Sequence, residues 1–234
     1  MSFETIESHL VFVRALRPNS LVVDGGAHKG WFSRTLASRF HCRCVGFEPS
    51  PDLFQALPQL EGVTFHHAAL AGVAGPVRLG SEVSAPNPMG SALTHLGSKG
   101  DAGVEVPGLN FAAMLSVVGG GPIDLLKLDI EGAEIEFLDS ATDEDLARVG
   151  QITVEFHDHC GITPPAEIER LCRRLNGLGF QRLWSSWRPN THDTLFVHRR
   201  VLPRWRYILQ MYPVRFLRAV GRATRRQIFG TKPD

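Results

Sequence analysis

A short apolar run that leads directly into a glycine-rich segment constrains this fold more than any other feature of the sequence. Residues 20–24 have the pattern of a buried strand, and Gly-Gly-Ala-His-Lys-Gly follows at 25–30. Glycines let the chain turn sharply and let its backbone approach a ligand without a Cβ in the way. Residues 31–40 then have the pattern of a helix. This order favours a ligand-binding unit over a plain β–α turn, which stays open as the alternative.

The alternation of strand and helix continues through most of the chain. Further strands are predicted at 43–48, 63–70, 123–129 and 151–156, and helices from the prolines at 49 and 51, near 110–117, from about 131 and over 165–178. Two closing runs, 180–187 and 193–197, predict a terminal antiparallel hairpin. This pattern predicts an α/β fold with a mostly parallel sheet covered on both faces. Ligands of such folds bind at the carboxyl ends of the strands, where the strand order reverses.

Two segments depart from this alternation. Residues 2–16 carry apolar side chains at helical spacing and predict a helix. These side chains are Ile6, Leu10, Val13 and Leu16. Residues 71–108 are rich in Gly, Pro and Ser, with short β-like pieces, and predict a hairpin-bearing insertion or lid. We therefore predict one domain over 1–198 that carries this insertion.

Residues 199–234 differ in charge from the rest of the chain. They contain ten Lys and Arg against one acid, whereas residues 1–198 contain fifteen basic and twenty-three acidic residues. Four arginines recur at helical spacing, namely Arg215, Arg218, Arg222 and Arg225. Such a basic amphipathic extension is typical of peripheral contact with an anionic membrane, and equally of docking on the acidic body or on a second copy in a homodimer.

The sequence also bears on the compartment. The N-terminus lacks a basic start followed by a long apolar stretch, and no run of eighteen apolar residues occurs. The cysteines have neither the spacing of a disulfide framework nor that of a zinc site, and they are Cys42, Cys44, Cys160 and Cys172. These features predict a cytoplasmic protein with buried thiols. Peripheral attachment to the inner face of the membrane stays open as an alternative.

Glu48 strengthens the case for a ligand at the glycines. It ends the second predicted strand about twenty residues after them, where an acid can accept the protons of both ribose hydroxyls. The glycines follow G-G-x-x-x-G rather than the G-x-G-x-x-G of dinucleotide-binding folds. Together these features predict a nucleoside-containing cofactor and leave S-adenosylmethionine (SAM) and NAD as alternatives.

A second group of ionisable residues follows the strand at 123–129. Alternation places Asp129 at its carboxyl end with Lys127 on the same side. Ionisable groups in this position are candidates for substrate positioning or proton transfer. Glu131 and Glu134 also suit the N-terminal dipole of the next helix, and for Glu134 we expect that role alone.

A third group closes the strand at 151–156. Glu155 and His157 alternate onto one face, and a histidine suits a general base. Asp129, Glu155, His157 and His159 also have the chemistry to hold a divalent metal. Loop histidines are more often solvated or hydrogen-bonded than metal ligands, so we expect no metal site.

Several segments together resemble the FkbM family of SAM-dependent methyltransferases. They are VVDGGAHKGWFS, GFEPSP, AAL at 68–70, GSAL at 90–93, DLLKLDIEGAE and VEFHD, and they stand in the family's order over roughly residues 20–197. The resemblance implies a Rossmann-like class I methyltransferase fold, with a mostly parallel seven-stranded sheet and a C-terminal antiparallel hairpin. It also favours SAM over NAD, with S-adenosylhomocysteine as the product.

The resemblance further implies where the cofactor contacts lie. The implied contacts are Asp24, Gly26 and Gly30, with His28 nearby, at the methionine portion, Glu48 at the ribose with Pro49 and Ser50 beside it, and Ala68 and Ala69 at the adenine. Asp129 and Glu131 would lie by the transferred methyl group and the substrate.

Family members typically methylate hydroxyls of sugars, glycans or polyketide-type products. We therefore expect a hydroxyl-bearing small molecule or a lipid-linked glycan as acceptor. The strand-end position and chemistry of His157 predict it as the base, with Asp129 or Glu155 orienting it or the acceptor. Nucleic acid is not expected as a partner, because the body is acidic and lacks the Asn/Asp-Pro-Pro-Tyr/Phe motif of base-amine methylation. An NAD-dependent oxidoreductase and a non-enzymatic scaffold remain the alternative functions.

Overall fold

A computed structural model describes residues 2–80, 93–94, 103–157, 164–184 and 193–205. The strands are β1 (Glu4–Ile6), β2 (His9–Val11), β3 (Leu21–Gly25), β4 (Arg43–Phe47), β5 (Val63–His66), β6 (Ala69–Leu70), β7 (Gly75–Leu79), β8 (Leu93–Thr94), β9 (Val104–Leu109), β10 (Leu125–Leu128), β11 (Gln151–Glu155), β12 (Phe180–Trp184) and β13 (Asp193–His198). The helices are α1 (Trp31–Phe40), α2 (Pro51–Ala56), α3 (Phe111–Val118), α4 (Glu134–Asp139), α5 (Asp143–Ala147) and α6 (Pro165–Gly177).

A seven-stranded sheet organises these elements. Its strand order is β12–β13–β11–β10–β3–β4–β5, and β13 pairs antiparallel with both of its neighbours while the other pairs are parallel. The order reverses between β3 and β10, since the chain builds outward from β3 to β5 and then returns to β10. This topology confirms the predicted class I methyltransferase fold, including the terminal antiparallel hairpin. It also places the ligand-binding edge at the carboxyl ends of β3 and β10.

Apolar side chains cover both faces of the sheet. One buried cluster includes Phe47, Phe111, Phe137, Phe156 and Phe180. A second cluster, on α1 and its neighbouring strands, includes Val22, Phe32, Leu36, Cys44 and Leu125. Cys42, Cys44 and Cys172 are buried thiols, and burial is the first cause that raises the pKa of each. The central strands are therefore hydrophobic on both sides, as a parallel sheet between two helical layers requires.

The predicted helix over residues 2–16 is wrong. The segment forms the antiparallel hairpin β1–β2, in which Ile6 pairs with His9 across a two-residue turn. Both turn residues, Glu7 and Ser8, have positive φ angles, of 45° and 71°. Two positive φ angles are what a tight turn between right-twisted strands needs. A short 3₁₀ turn over Val13–Ala15 then leads to β3.

The predicted strand over residues 63–70 is divided in two. β5 ends at His66, and the Ala68 N–H donates to the His66 carbonyl. The chain then leaves the central sheet, and β6 joins a four-stranded sheet of order β6–β9–β7–β8. β7 and β9 pair antiparallel within the segment 71–108, whose residues 81–92 and 95–102 lie outside the described part of the chain. Its role as a lid stays a prediction.

Other boundaries move by a few residues. α4 begins at Glu134 rather than near 131, because Glu131 and Gly132 have φ angles of 56° and 104° that a helix excludes. The basic extension from residue 206 onward lies outside the described residues. Among the described residues, no helix has both the length and the apolar character needed to cross a bilayer.

Candidate active site

A cavity of about 550 Å³ lies where the strand order reverses. The loops after β3, β4 and β10 line it with Gly26, Glu48 and Asp129, and the N-terminal hairpin adds His9. Its volume is in the range of cavities that bind small molecules and cofactors.

The glycine turn joins two of these loops. A Cβ at Gly26 would lie 1.9 Å from the Asp129 carbonyl oxygen, and the φ angle of Gly26 is +75°. The N–H groups of Gly26 and Ala27 both donate to the Phe47 carbonyl at 3.0 Å. Glycine is therefore required at position 26 by the close approach of the β10 loop as well as by its backbone conformation.

Glu48 is held by the backbone and faces the cavity. Its Oε2 accepts from the His28 N–H at 2.7 Å, and its Oε1 accepts from the Ser50 N–H at 2.8 Å. Only 4% of the residue is exposed, and burial raises the pKa of its carboxyl despite these hydrogen bonds and the Lys127 charge. Each carboxylate oxygen keeps a further lone pair, so the group can still accept two hydrogen bonds from a ligand.

Lys127 fixes the floor of the cavity. Its buried Nζ donates to the carbonyls of Gly25 and Gly26 at 3.0 and 2.6 Å. The same atom lies 3.3 Å from Asp24 Oδ1 and 3.5 Å from Asp129 Oδ2. Burial favours a lower pKa for Lys127, but the two carboxylates outweigh it and raise the pKa. The ammonium therefore holds the glycine turn and two strand-end acids together.

Asp129 lies between three cationic or ionisable partners. Its Oδ2 is 3.7 Å from His9 Nε2 and 3.5 Å from Lys127 Nζ, while its Oδ1 is 3.8 Å from His157 Nε2. Burial favours a higher pKa for Asp129, but His9 and Lys127 outweigh it and hold the pKa well below its usual range. Asp129 is thus an anion across the working pH range, which suits orientation better than proton uptake.

His157 is enclosed by carboxylates. Its Nδ1 lies 3.1 Å from Glu134 Oε1, and its Nε2 lies 3.2 Å from Glu131 Oε2. Burial favours a lower pKa for His157, but the hydrogen bonds and charges of Glu131 and Glu134 outweigh it and raise the pKa to about 11. An imidazolium has no lone pair to accept a proton. The general-base role of His157 stays a prediction, and this geometry weighs against it.

Glu134 has more contacts than the sequence indicates. Its Oε1 accepts from the backbone N–H groups of Ile130 and Gly132, each at 3.1 Å, besides its contact with His157. It stands in the first turn of α4, as expected, but it is fully buried and also fixes the loop after β10. No motif in the sequence distinguishes this role from helix-dipole complementation.

The family assignment follows from the sequence segment that builds this cavity. Residues 24–182 match the family described as the methyltransferase FkbM domain, which is more than half of the chain. The chain belongs to the FkbM methyltransferase family.

Individual proteins with similarity to this FkbM domain are also methyltransferases. The methyltransferase sdnD from Sordaria araneosa is 26% identical over 231 residues, which covers 84% of this chain and 88% of the relative. An rRNA methylase from Streptococcus thermophilus has a TM-score of 0.44 at 14% identity over 79% of this chain and 88% of its own. A TehB-like SAM-dependent methyltransferase from Corynebacterium glutamicum has a TM-score of 0.42 at 12% identity over 80% of this chain and 83% of its own.

The predicted site residues of the FkbM domain fall into two groups. Those that line the cavity are Gly26, His28, Glu48, Pro49, Ser50, Ala69, Asp129 and Glu131. Those outside its lining are Asp24, Gly30, Ala68, Glu155 and His157, and His159 lies outside the described residues. Asp24 is fully buried and accepts from Ser33 Oγ at 2.7 Å, and a Cβ at Gly30 would meet the Phe65 ring. Asp24 and Gly30 thus pack beneath the glycine turn and do not line the cavity.

His9 and Trp31 are cavity residues that sequence reasoning missed. His9 falls within the segment predicted as a helix, and no motif surrounds it. Trp31 is the first residue of α1 and is 50% exposed, with Lys29 Nζ 5.2 Å from the centre of its ring. A tryptophan directly after the glycine turn was a usable signal, because residues that follow strand ends line the ligand-binding cleft of such folds.

Two sets of side chains near Asp129 have donor atoms within 4.8 Å of one another. They are His9, Asp129 and Glu155, and Asp129, Glu131 and His157. The Lys127 ammonium lies 3.5 Å from Asp129 Oδ2, and a divalent cation at either set would have to approach this positive charge. We assign no metal ligands, and the absence of a metal stays a prediction.

Proposed function

We propose that this FkbM domain transfers the methyl group of SAM to a hydroxyl oxygen of a sugar, a glycan or a polyketide-type small molecule. The observation that carries the proposal is the Glu48 carboxylate, which faces the cavity at the end of β4 with acceptor capacity on both oxygens. Two adjacent acceptors at this position suit the two hydroxyls of a ribose. Family membership favours SAM over NAD as the nucleoside that brings them.

The rest of the cavity supports this placement. Ala69 and Leu70 offer an apolar wall for an adenine, and the turn at Gly26 offers backbone to the methionine portion. Bound SAM supplies an electrophilic methyl carbon on a sulfonium cation. The Asp129 carboxylate can accept a hydrogen bond from an acceptor hydroxyl and so orient it beside the methyl carbon. Holding the two reactants in line is the main contribution that a protein makes to such a displacement.

The charges of the cavity indicate an uncharged acceptor. The carboxylates that line it outnumber the ammonium groups of Lys29 and Lys127, and they are Glu7, Glu48, Asp52, Asp129 and Glu131. Carboxylates repel phosphorylated molecules, which argues against nucleic acid, and accept hydrogen bonds from hydroxyls. The exposed Trp31 ring adds a surface for the apolar face of a sugar or polyketide ring. A neutral polyol or glycan satisfies both features.

The cofactor assignment is tested by calorimetric titration of the full chain with S-adenosylhomocysteine, with NAD titrated in parallel. We expect micromolar binding of S-adenosylhomocysteine alone. Glu48→Gln removes the charge and leaves the shape, and it should weaken binding about tenfold or more, since a hydrogen bond to a charged group contributes about 1.5–3 kcal/mol. Glu61→Gln, at an exposed turn, is the matched control. Binding of NAD alone would refute the proposal.

The acceptor class is tested with radiolabelled SAM and a panel of methyl glycopyranosides, each paired with its sugar phosphate. We expect label in the neutral glycosides as an alkali-stable ether and little or none in the phosphates. Transfer to the phosphates at equal rate would contradict the uncharged-acceptor proposal. Transfer to neither class by a chain that binds S-adenosylhomocysteine would remove the sugar hydroxyl as acceptor.

A further inference from the structure

The N-terminal hairpin brings a histidine into the cavity from outside the FkbM match. His9 lies on β2, whereas the family match begins at residue 24. The hairpin is bound to the central sheet through β11, where the Phe12 N–H donates to Gln151 Oε1 at 2.9 Å and Gln151 Nε2 donates to the Phe12 carbonyl at 3.3 Å. Reciprocal hydrogen bonds of this kind fix the register of β2 against the sheet, so His9 is held in place.

Apolar packing holds the hairpin from both sides. Ile6, Val11 and Leu16 join the buried cluster that contains Phe32 of α1. Phe12 joins a separate cluster with Leu195 and other side chains of the terminal hairpin. A histidine on an element anchored this way loses little conformational entropy when it meets a ligand.

One nitrogen of His9 is available to the cavity. The residue is 2% exposed and lines the cavity, and its ring packs edge-on against Phe32. Its Nδ1 is buried without a hydrogen-bond partner among the described residues, while its Nε2 lies 3.7 Å from Asp129 Oδ2. Proton exchange with a bound acceptor therefore has to use Nε2. The separation of 3.7 Å is longer than a hydrogen bond, and in the tautomer that carries its proton on Nδ1, Nε2 presents a lone pair to the cavity.

The surroundings of His9 suit it to gain a proton during a reaction. Asp129 and Glu155 face it with carboxylates, and Lys127 faces Asp129 from the other side. An imidazolium formed at His9 would be paired with Asp129 at once. An ion pair that forms only on proton transfer stabilises the transition state more than the ground state. His157, by contrast, already has both ring nitrogens beside carboxylates and does not line the cavity.

We propose that His9 is the general base of the methyl transfer, with Asp129 stabilising the imidazolium that forms; this rests on the proposed function. The acceptor oxygen forms a bond to the methyl carbon while the carbon–sulfur bond breaks. The electron pair of the broken bond stays on sulfur, and S-adenosylhomocysteine is released. The hydroxyl proton moves to His9 Nε2 and is released to solvent after the product leaves. No oxidant, metal or further reactant is needed.

The test compares single-turnover methyl transfer by wild type, His9→Gln, His157→Gln and the exposed control His41→Asn, on the most reactive methyl glycopyranoside. Binding of S-adenosylhomocysteine shows that each variant is folded, and His9→Asn replaces His9→Gln if that variant fails this check. We expect His9→Gln to lose about 10²–10⁴-fold in rate, as for other general bases. We also expect it to lose the acidic limb of the rate–pH profile, with cofactor affinity within about twofold of wild type.

Several outcomes would overturn the assignment. Full activity in His9→Gln would overturn it. A slower rate of His9→Gln with an unchanged pH profile would also overturn it, because that result indicates a positioning residue. Loss of the acidic limb in His157→Gln alone would return the base role to His157. Wild-type activity that is abolished by EDTA and restored by Mn²⁺ would make His9 a metal ligand. If the wild type transfers no methyl group at all, the proposed function fails first, and the role of His9 fails with it.

Discussion

The cavity has two halves that hold their carboxylates by different means. The cofactor half, defined by Gly26, His28, Glu48, Pro49 and Ala69, fixes Glu48 through backbone N–H groups of its own and the neighbouring loop. The acceptor half, defined by His9, Lys127, Asp129 and Glu131, fixes Asp129 through the side chains of its neighbours. Backbone donors are set by the fold, whereas side-chain charges depend on each partner being present. The acceptor half should therefore be the more sensitive to single substitutions.

Removing Lys127 tests that difference most severely. Lys127→Met keeps the length of the side chain and removes the only described cation beside Asp24, leaving Asp24 buried without a compensating charge. A buried ion pair broken on one side destabilises a protein by about 3–5 kcal/mol. Urea denaturation should show a loss of that order, while Lys29→Met, at the exposed rim, should change the free energy of unfolding by less than about 0.5 kcal/mol. Equal losses in the two variants would contradict the clamp role of Lys127.

The contact between the halves at Gly26 is the next test. Gly26→Ala places a Cβ against the Asp129 carbonyl, so β3 and β10 would have to separate. Gly119→Ala is a matched control, because Gly119 also has a positive φ angle but a Cβ added there would meet nothing within 4 Å. The control should lose about 1 kcal/mol of stability from backbone strain alone. We expect Gly26→Ala to lose at least about 2 kcal/mol more stability than the control, because overpacking destabilises a protein by this order, and to lose S-adenosylhomocysteine binding. Similar free energies of unfolding for the two variants would show that the loops are free to separate.

The strand-end residues of both halves were predictable from the sequence, and His9 was not. Glu48 and Asp129 were found because parallel strands end at one edge of the sheet. Residues at these ends therefore lie close together, and this does not depend on the details of packing. His9 reaches Asp129 only because Glu7 and Ser8 turn the chain back, in a pairing that the apolar spacing of residues 2–16 misrepresents. Pairing of β2 with β1 and packing of the hairpin against the central sheet outweighed local helical periodicity, which alone stabilises a short helix weakly.

The roles of individual ionisable groups were the least predictable. His157 was expected as a base because a histidine follows β11, and alternation placed it beside Glu155. Alternation does not report that the loop after β10 turns Glu131 and Glu134 toward both ring nitrogens. The protonation state of a histidine depends on such neighbours, and they come from a different strand.

The charge of His157 gives a pH-dependent prediction. Because its folded pKa of about 11 lies above its ordinary value, its stabilisation is complete below a pH of about 6.5 and is lost as the pH rises toward about 11. The difference in free energy of unfolding between wild type and His157→Gln should therefore be largest near a pH of about 6.5 and smaller near a pH of about 10. A difference that does not change with pH would mean that His157 is neutral, and His157 would then again be a candidate for the general base.

The smallest expected effect concerns the basic extension, which neither half of the cavity contacts through described residues. Truncation after Trp205 keeps Leu202, which packs with Phe12, and removes most of the excess positive charge. If the extension brings the acceptor half to lipid-linked substrates, the full chain should float with vesicles containing phosphatidylglycerol and the truncated chain should not. Each basic residue near an anionic surface contributes up to about 1 kcal/mol, so the difference should shrink as salt is raised. Equal weak binding by the two chains would leave a second copy of the protein or the acidic body as the partner of the extension. Sedimentation of the same two chains distinguishes these alternatives, because only binding to a second copy changes the molecular mass of the assembly.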